Sequence, residues 1–524
     1  MPSFLAGPKR FGFCAKLAAA LALVALADIL FFGHYAGSII GGFAIAWALT
    51  LAATVPAIRH RGALTALAAA LLFGLIMTDG PSLLGWAMFW AALSTAALWS
   101  RSGGRGNAAR WALRLASHGA SSPLRPLVDA WRIERLGRST RRGAVRRLLP
   151  ALALPLAGGA LFIALFAAAN PLIGDALAAI RLPRLDGLRM LFWGIAFVAV
   201  WPSLRPARFR SWARIPDIGH DWTLPGVSVA SVTLSLLLFN LLFAVQNALD
   251  LAFLWSGAPL PVGMTLADYA HRGAYPLIAT ALLAGLFVLV TLRPGSETAA
   301  RPLVRRLVVL WIAQNILLVA SSILRICDYI EVYSLTRLRI AALAWMALVA
   351  FGLALTCWRM LKERSASWLI NANALAAGIV LALASMVDLG AVAATWNVRH
   401  AREAGGRGAA IDLCYLKELG PSALLPLMEF ERRPIARELR DRTASIRAPL
   451  LARIELRQAD WHGWTWRNAR RLAAAHAMMA PMPAPWPAPF GRACDGHILP
   501  PPEPAPAVKT PVSPSPALTG EPPR

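Results

Sequence analysis

Charge is scarce in this chain. Only 15% of its 524 residues are Asp, Glu, Lys or Arg, and 27 acidic residues stand against 53 basic ones. A single soluble domain of this size would find it hard to hide a hydrophobic share of 57% and a mean hydropathy of +0.54 from water, so the first-choice class is a polytopic membrane protein. Cysteine is scarcer still: Cys14, Cys327, Cys357, Cys414 and Cys494 form no CxxC, so no redox or zinc motif is spelled out. A P-loop, HExxH, GxSxG and a GxGxxG in strand–helix context are also missing. ATPase, zincin, serine-hydrolase and dinucleotide chemistry are therefore disfavoured, and neither a metal nor a cofactor is expected. The net charge of +26 would suit nucleic acid, but zinc-finger spacing, an RNA-binding signature and a long basic arm are all lacking. The arginines fall instead in short blocks between apolar runs, where topology and anionic lipid headgroups account for them.

What is present is a succession of apolar runs, each near the ~20 residues that cross a bilayer. The most telling stretch runs from Gly226 to Leu292: one long run, a polar hinge, then a second long run. The hinge carries Gln246, Asn247, Asp250, Asp268, Tyr269, His271, Arg272 and Tyr275, more chemistry than a connector needs. Lys9, Arg10 and Lys16 precede the first run in the manner of a signal peptide. No small-residue cleavage site follows, so the run is read as a retained helix.

Counting along the chain predicts an all-α bundle of about 11 spans. Four lie within residues 1–100, at Leu17–Phe32, Ile39–Val55, Ala63–Met77 and Leu83–Trp99. A basic loop at 101–147 carries arginines such as Arg141, Arg142, Arg146 and Arg147, and serves as a cytoplasmic topology signal or an anionic-lipid contact. A core at 148–397 holds about seven more spans, beginning with Leu148–Ala169 and closing with Leu369–Ala394. Gly37 and Gly41 form a GxxxG, either a close helix contact or a chance match. An odd count from a cytoplasmic N-terminus sends residues 398–481, a helical extramembrane segment, to the far side. There Cys414 and Cys494 would be in an environment that permits a disulfide. Residues 482–524, with PPPEPAPA and PVSPSPA, read as a disordered proline-rich tail.

Several stretches resemble a known family. LADILFFGHYAG, AANPLIGD, FNLLFAVQNALDLAFLW, ADYAHRGAYPLIATALLA, SSILRICDYIEVYSLTRLRIAALAWM, DLCYLKELGPSALLPL and DWHGWTWRNARRL are similar to the domain-of-unknown-function 4173 family of bacterial membrane proteins. The resemblance implies a multi-spanning inner-membrane protein with a C-terminal extramembrane segment. It implies no activity.

On this topology the candidate site residues gather towards one face of the membrane. They are Asp28, His34, Asn170, Asn247, Asp250, Asp268, His271, Arg272, Arg325 and Asp328. Ionisable groups at such depths pair with one another or line a water-filled cavity. One reading is an outward-facing polar vestibule for a small polar or lipid-linked ligand; the other is a set of ion pairs, such as Arg272 with Asp268 or Arg325 with Asp328. Asp28 interrupts an apolar helix and could be a relay or catalytic carboxylate, or pair with the 268–272 hinge. Trp461, Trp464 and Trp466 offer either a ligand platform or an anchor at the membrane interface. The corresponding functions are ligand binding or movement, a membrane transferase acting on a lipid-linked substrate, or a scaffold. Membrane lipids are the expected partners, with anionic headgroups at the basic loop.

Overall fold

A computed structural model describes residues 8–55, 60–102, 106–131, 186–206, 228–255, 300–479 and 492–498, with Leu283 and Phe287. Helices are numbered here among these described residues, which form no extended strand. Nine apolar helices make the bundle: α1 (Pro8–Phe31), α2 (Ile39–Thr54), α3 (Arg61–Asp79), α4 (Leu83–Ser102), α6 (Gly187–Leu204), α7 (Val229–Asp250), α8 (Pro302–Tyr333), α9 (Arg337–Leu361) and α10 (Ala366–Met386). Seven are long and apolar enough to cross a membrane, and α2 and α4 are shorter apolar helices. The amphipathic α5 (Ala108–Ser121) follows α4. The spans expected at Leu148–Ala169 and after the 256–275 hinge lie outside the described residues.

One helix, α7, carries its side chains the opposite way from a helix of a soluble protein. Along α7, Leu234, Leu238, Leu241 and Leu242 are exposed while Asn240, Asn247 and Asp250 are buried. Such a helix is stable where the outer solvent is hydrocarbon and polar groups must find partners inside.

Helix directions follow from contacts at the ends. Asp28 near the end of α1 meets Arg189 near the start of α6, and Lys16 near the start of α1 donates to the Leu204 carbonyl at the end of α6, so these two run antiparallel. The helices α2 and α3 are also antiparallel. A Cβ on Gly41 would lie 2.5 Å from the Gly74 carbonyl oxygen, so the glycine is needed for their close approach. Gly37, its partner in the GxxxG, packs elsewhere, beneath the Trp464 carbonyl. In contrast, α7 and α8 are parallel: Asn240 bonds Leu307 and Gln314, Asn247 bonds Gln314, and Asp250 bonds Arg325. Both helices start on one side, so the chain between them returns to that side.

After α10 the chain leaves the bundle. The reading of a continuous last span to Ala394 is corrected here: the helix stops at Met386, and Asp388 caps a separate α11 (Leu389–His400) by accepting from Ala391 N–H. With α12 (Leu413–Glu418), α13 (Leu424–Glu431), α14 (Arg437–Ala459) and α15 (Trp466–Met479), α11 encloses a second core around Leu416, Leu424, Leu427 and Phe430. Gly420, at φ +60°, ends the α12 turn. Glu431 and Arg447 are buried as a pair in this unit, both Glu431 oxygens accepting from Arg447 Nε, and burial still pushes the Glu431 carboxyl up. Cys414 and Cys494 form a disulfide that ties 492–498 to this unit.

This C-terminal unit sits on one end of the bundle as a cap. Arg467 and Arg470 hold Asp79 at the end of α3, and Arg467 also donates to the Met386 carbonyl. Asn397 clamps Leu335 between α8 and α9 through both its amide groups. Ile326 and Ile330 of α8 join the cap's core. At 32 residues α8 is about 48 Å long, well beyond a hydrocarbon layer of ~30 Å, so its last turns emerge into the cap. The opposite, basic end carries Lys16, Arg61, Arg205, Arg305, Arg359, Lys362 and Arg364 at or beside helix ends. Here α5 packs on α4, with Trp111 stacked on Trp99, and burial pushes His118 down to about 4.

Mass spectrometry of the alkylated, unreduced chain should find label on Cys14, Cys327 and Cys357 only, with Cys414 and Cys494 joining after reduction. Label on Cys414 or Cys494 without reduction would contradict this pairing.

Candidate functional site

The densest polar arrangement within the bundle is the seam between α7 and α8. Apolar periodicity turns Leu234, Leu238 and Leu241 outward, which places Asn240, Asn247 and Asp250 together on the opposite face. Across from them α8 presents Gln314, Ser321 and Arg325, and Asn315 and Ser322 are buried on the flank of the same helix. Asn240 donates to the Leu236 and Leu307 carbonyls and accepts from Gln314 Nε2. Asn247 donates to the Gln314 carbonyl at 3.3 Å, and Asn315 to the Trp311 carbonyl at 2.8 Å.

Towards the capped end the seam carries an ion pair. One Asp250 oxygen accepts from Arg325 and from Gln246 Nε2, and both charged side chains are nearly inaccessible, at 2% and 5% exposure. A five-residue π-helical stretch, Leu251–Trp255, follows Asp250 and brings the Trp255 indole to donate to Ser321. Such π turns recur at functional sites, where a regular helix would aim side chains differently.

The donors and acceptors of the seam do not balance. Four buried oxygens accept from no donor among the described residues, Asp250 Oδ2, Asn247 Oδ1, Gln314 Oε1 and Asn315 Oδ1, against a buried donor without an acceptor there, Trp311 Nε1. Each buried acceptor without a donor costs about 1–3 kcal/mol. A row of them is suited to water or to a solute that brings donors or positive charge.

The described members of the expected vestibule take separate partners. Asp28 is held by Arg189 through both oxygens and by the Trp193 indole at 2.9 Å, with the Arg189 guanidinium over the Phe32 ring. Its partner is thus an arginine of α6 rather than one of the 268–272 hinge. Arg325 pairs with Asp250 and not with Asp328, which has no basic partner among the described residues. His34 lies in the α1–α2 loop with its ring stacked on His462 of the cap. Asn170, Asp268, His271 and Arg272 lie outside the described residues. Sequence reasoning missed Arg189, Trp193, Gln314, Asn315 and His462. The polar residues of α8 recur at helical spacing within an apolar run, a signal that was readable; the Asp28 partner, 161 positions away, left none.

Of the three tryptophans after α14, Trp461 and Trp466 are exposed, and Trp464 spends its carbonyl on the Ser38 N–H of the α1–α2 loop. Docking of the cap onto the bundle is therefore one role this segment performs.

Replacing Asp250 by Ala strands a buried guanidinium and should cost about 3–5 kcal/mol, most of it recovered in Asp250→Ala/Arg325→Leu. Asp28→Ala should cost less, because Arg189 is 41% exposed at the start of α6, from where its long side chain reaches the headgroup level. Reversible unfolding in mixed micelles measures all three; equal losses in the single and double seam variants would contradict the pairing.

A family model described as Domain of unknown function (DUF4153) matches residues 63–430. Its number differs from the 4173 of the motif resemblance, and its kind is the same, an uncharacterised domain. No curated protein and no solved structure matches the chain. The match extends over more than half of the sequence and takes in α3 to α10 together with the first helices of the cap, so the chain belongs to the DUF4153 family, a domain of unknown function.

Proposed function

We propose that this chain is a bacterial cytoplasmic-membrane protein that binds or moves a small polar solute along the α7–α8 seam, entered from the capped end. The observation that carries the reading is the row of four buried acceptor oxygens beside the Asp250–Arg325 pair. Acceptors in excess recognise a solute rich in donors or positive charge, such as a proton carried on water or a hydrated monovalent cation. The basic end faces the cytoplasm under the positive-inside rule and contacts anionic headgroups there. The capped end then faces an oxidising compartment, consistent with the Cys414–Cys494 disulfide. A transferase built on Asp28 is less well supported, because three hydrogen bonds already occupy that carboxylate.

In proteoliposomes with an imposed pH gradient, with and without Na⁺ or K⁺, the wild-type chain should dissipate the gradient faster than empty vesicles. Replacing Asn247 and Asn315 by Leu should slow this at least about ten-fold, corresponding to the ~1.4 kcal/mol that a lost buried hydrogen-bonding site contributes to a barrier. Equal rates in the wild type and the folded variant would remove the seam from the account.

A further inference from the structure

A second cluster lies outside the seam, where the α1–α2 loop meets the cap. The backbone fixes this joint before any side chain is considered. Gly37 N–H donates to the His462 carbonyl and Ser38 N–H to the Trp464 carbonyl, both at 2.7 Å. A Cβ on Gly37 would sit 2.3 Å from the Trp464 oxygen, so only glycine allows the two segments to come this close. The Arg457 guanidinium covers the Tyr35 ring at 5.3 Å on the same joint.

This register brings together three metal-ligating side chains from distant parts of the sequence. His34 and His462 stack with ring centroids 3.7 Å apart, and one ligand atom from each of His34, Asp460 and His462 lies within 4.8 Å of the other two. Asp460 Oδ1 accepts from both the backbone N–H and Nδ1 of His462, at 3.1 and 3.0 Å. The 3.0 Å between Nδ1 and Oδ1 is close to the separation of two ligand atoms on one small metal ion, which would take the place of the shared proton. Buried His462 is fixed between the Trp461 and His34 rings, while His34 is exposed. The two imidazole rings lie within 2° of parallel.

We propose that His34, Asp460 and His462 form a site for a divalent transition-metal ion of the zinc class, which latches the cap onto the α1–α2 loop. Two imidazoles and one carboxylate suit Zn²⁺, Co²⁺, Ni²⁺ or Cu²⁺ and disfavour Mg²⁺ and Ca²⁺, which require more oxygen ligands. Three protein ligands leave a fourth position to water. The latch joins the first helical hairpin to the cap at a point separate from the arginine–carboxylate contacts of Asp79.

The full chain, purified in detergent without a polyhistidine tag and stripped with chelator, provides the test. Wild-type protein should take up about one equivalent of Zn²⁺, and Co²⁺ should give visible d–d absorption. The midpoint of thermal unfolding should rise by about 3 °C or more with saturating Zn²⁺. His34→Ala, which changes an exposed side chain, and His462→Ala should each lose the equivalent and the shift. His476→Ala, at an exposed histidine paired with Glu455, should keep both. Wild type that binds no more Zn²⁺ than His34→Ala, or that gives no Co²⁺ absorption above that variant, would overturn the site.

Discussion

Everything in this structure answers to one constraint: a polar group within the hydrocarbon layer must find its partner inside the protein. That constraint turns the leucines of α7 outward and its asparagines and aspartate inward. It draws Arg189 to Asp28 and Arg325 to Asp250 across helix interfaces that are otherwise apolar. Where the partners run out, along the four acceptors of the seam, the same constraint becomes the argument for a solute.

Charge is organised differently at the two ends. At the basic end, Arg125 and Arg205 share Asp129. The capped end is made of paired groups: Asp79 with two arginines, Asp388 with Arg471 and Ser422, Glu431 with Arg447. An excess of unpaired basic groups is what keeps a loop from crossing a membrane, while paired groups build a folded surface. Because α8 runs through the bundle into the core of the cap, and Asp250 pairs with α8, the seam and the cap are mechanically joined.

Much of the bundle was legible in the sequence, since span length and arginine spacing are local properties. Apolar runs located α1 to α4, α7 and the start of α10, and the polar cluster of α7 stood out against its leucines. The end of α10 was missed because VDLGAVAA is apolar enough to continue a span; the single Asp388 that stops it acts as a cap and as a partner for Arg471, which local hydropathy does not weigh. The pairing of the candidate residues was not legible, because Asp28 and Asp250 choose partners 161 and 75 residues away. His462 was visible in the DWHGW motif, but its meeting with His34 depends on Gly37, whose GxxxG suggested a helix contact instead.

The central claim is that the seam, although buried, is open to water from the capped end. Substituted-cysteine labelling tests it most directly, in a chain whose three free cysteines are replaced by serine and with Cys introduced at Asn247 or Asn315. A small membrane-impermeant thiol reagent added on the capped side of oriented membranes should modify both positions, and Leu242→Cys on the outer face should resist it. Cysteines at 247 and 315 as inert as the one at 242 would mean that the seam is sealed, and would contradict the account.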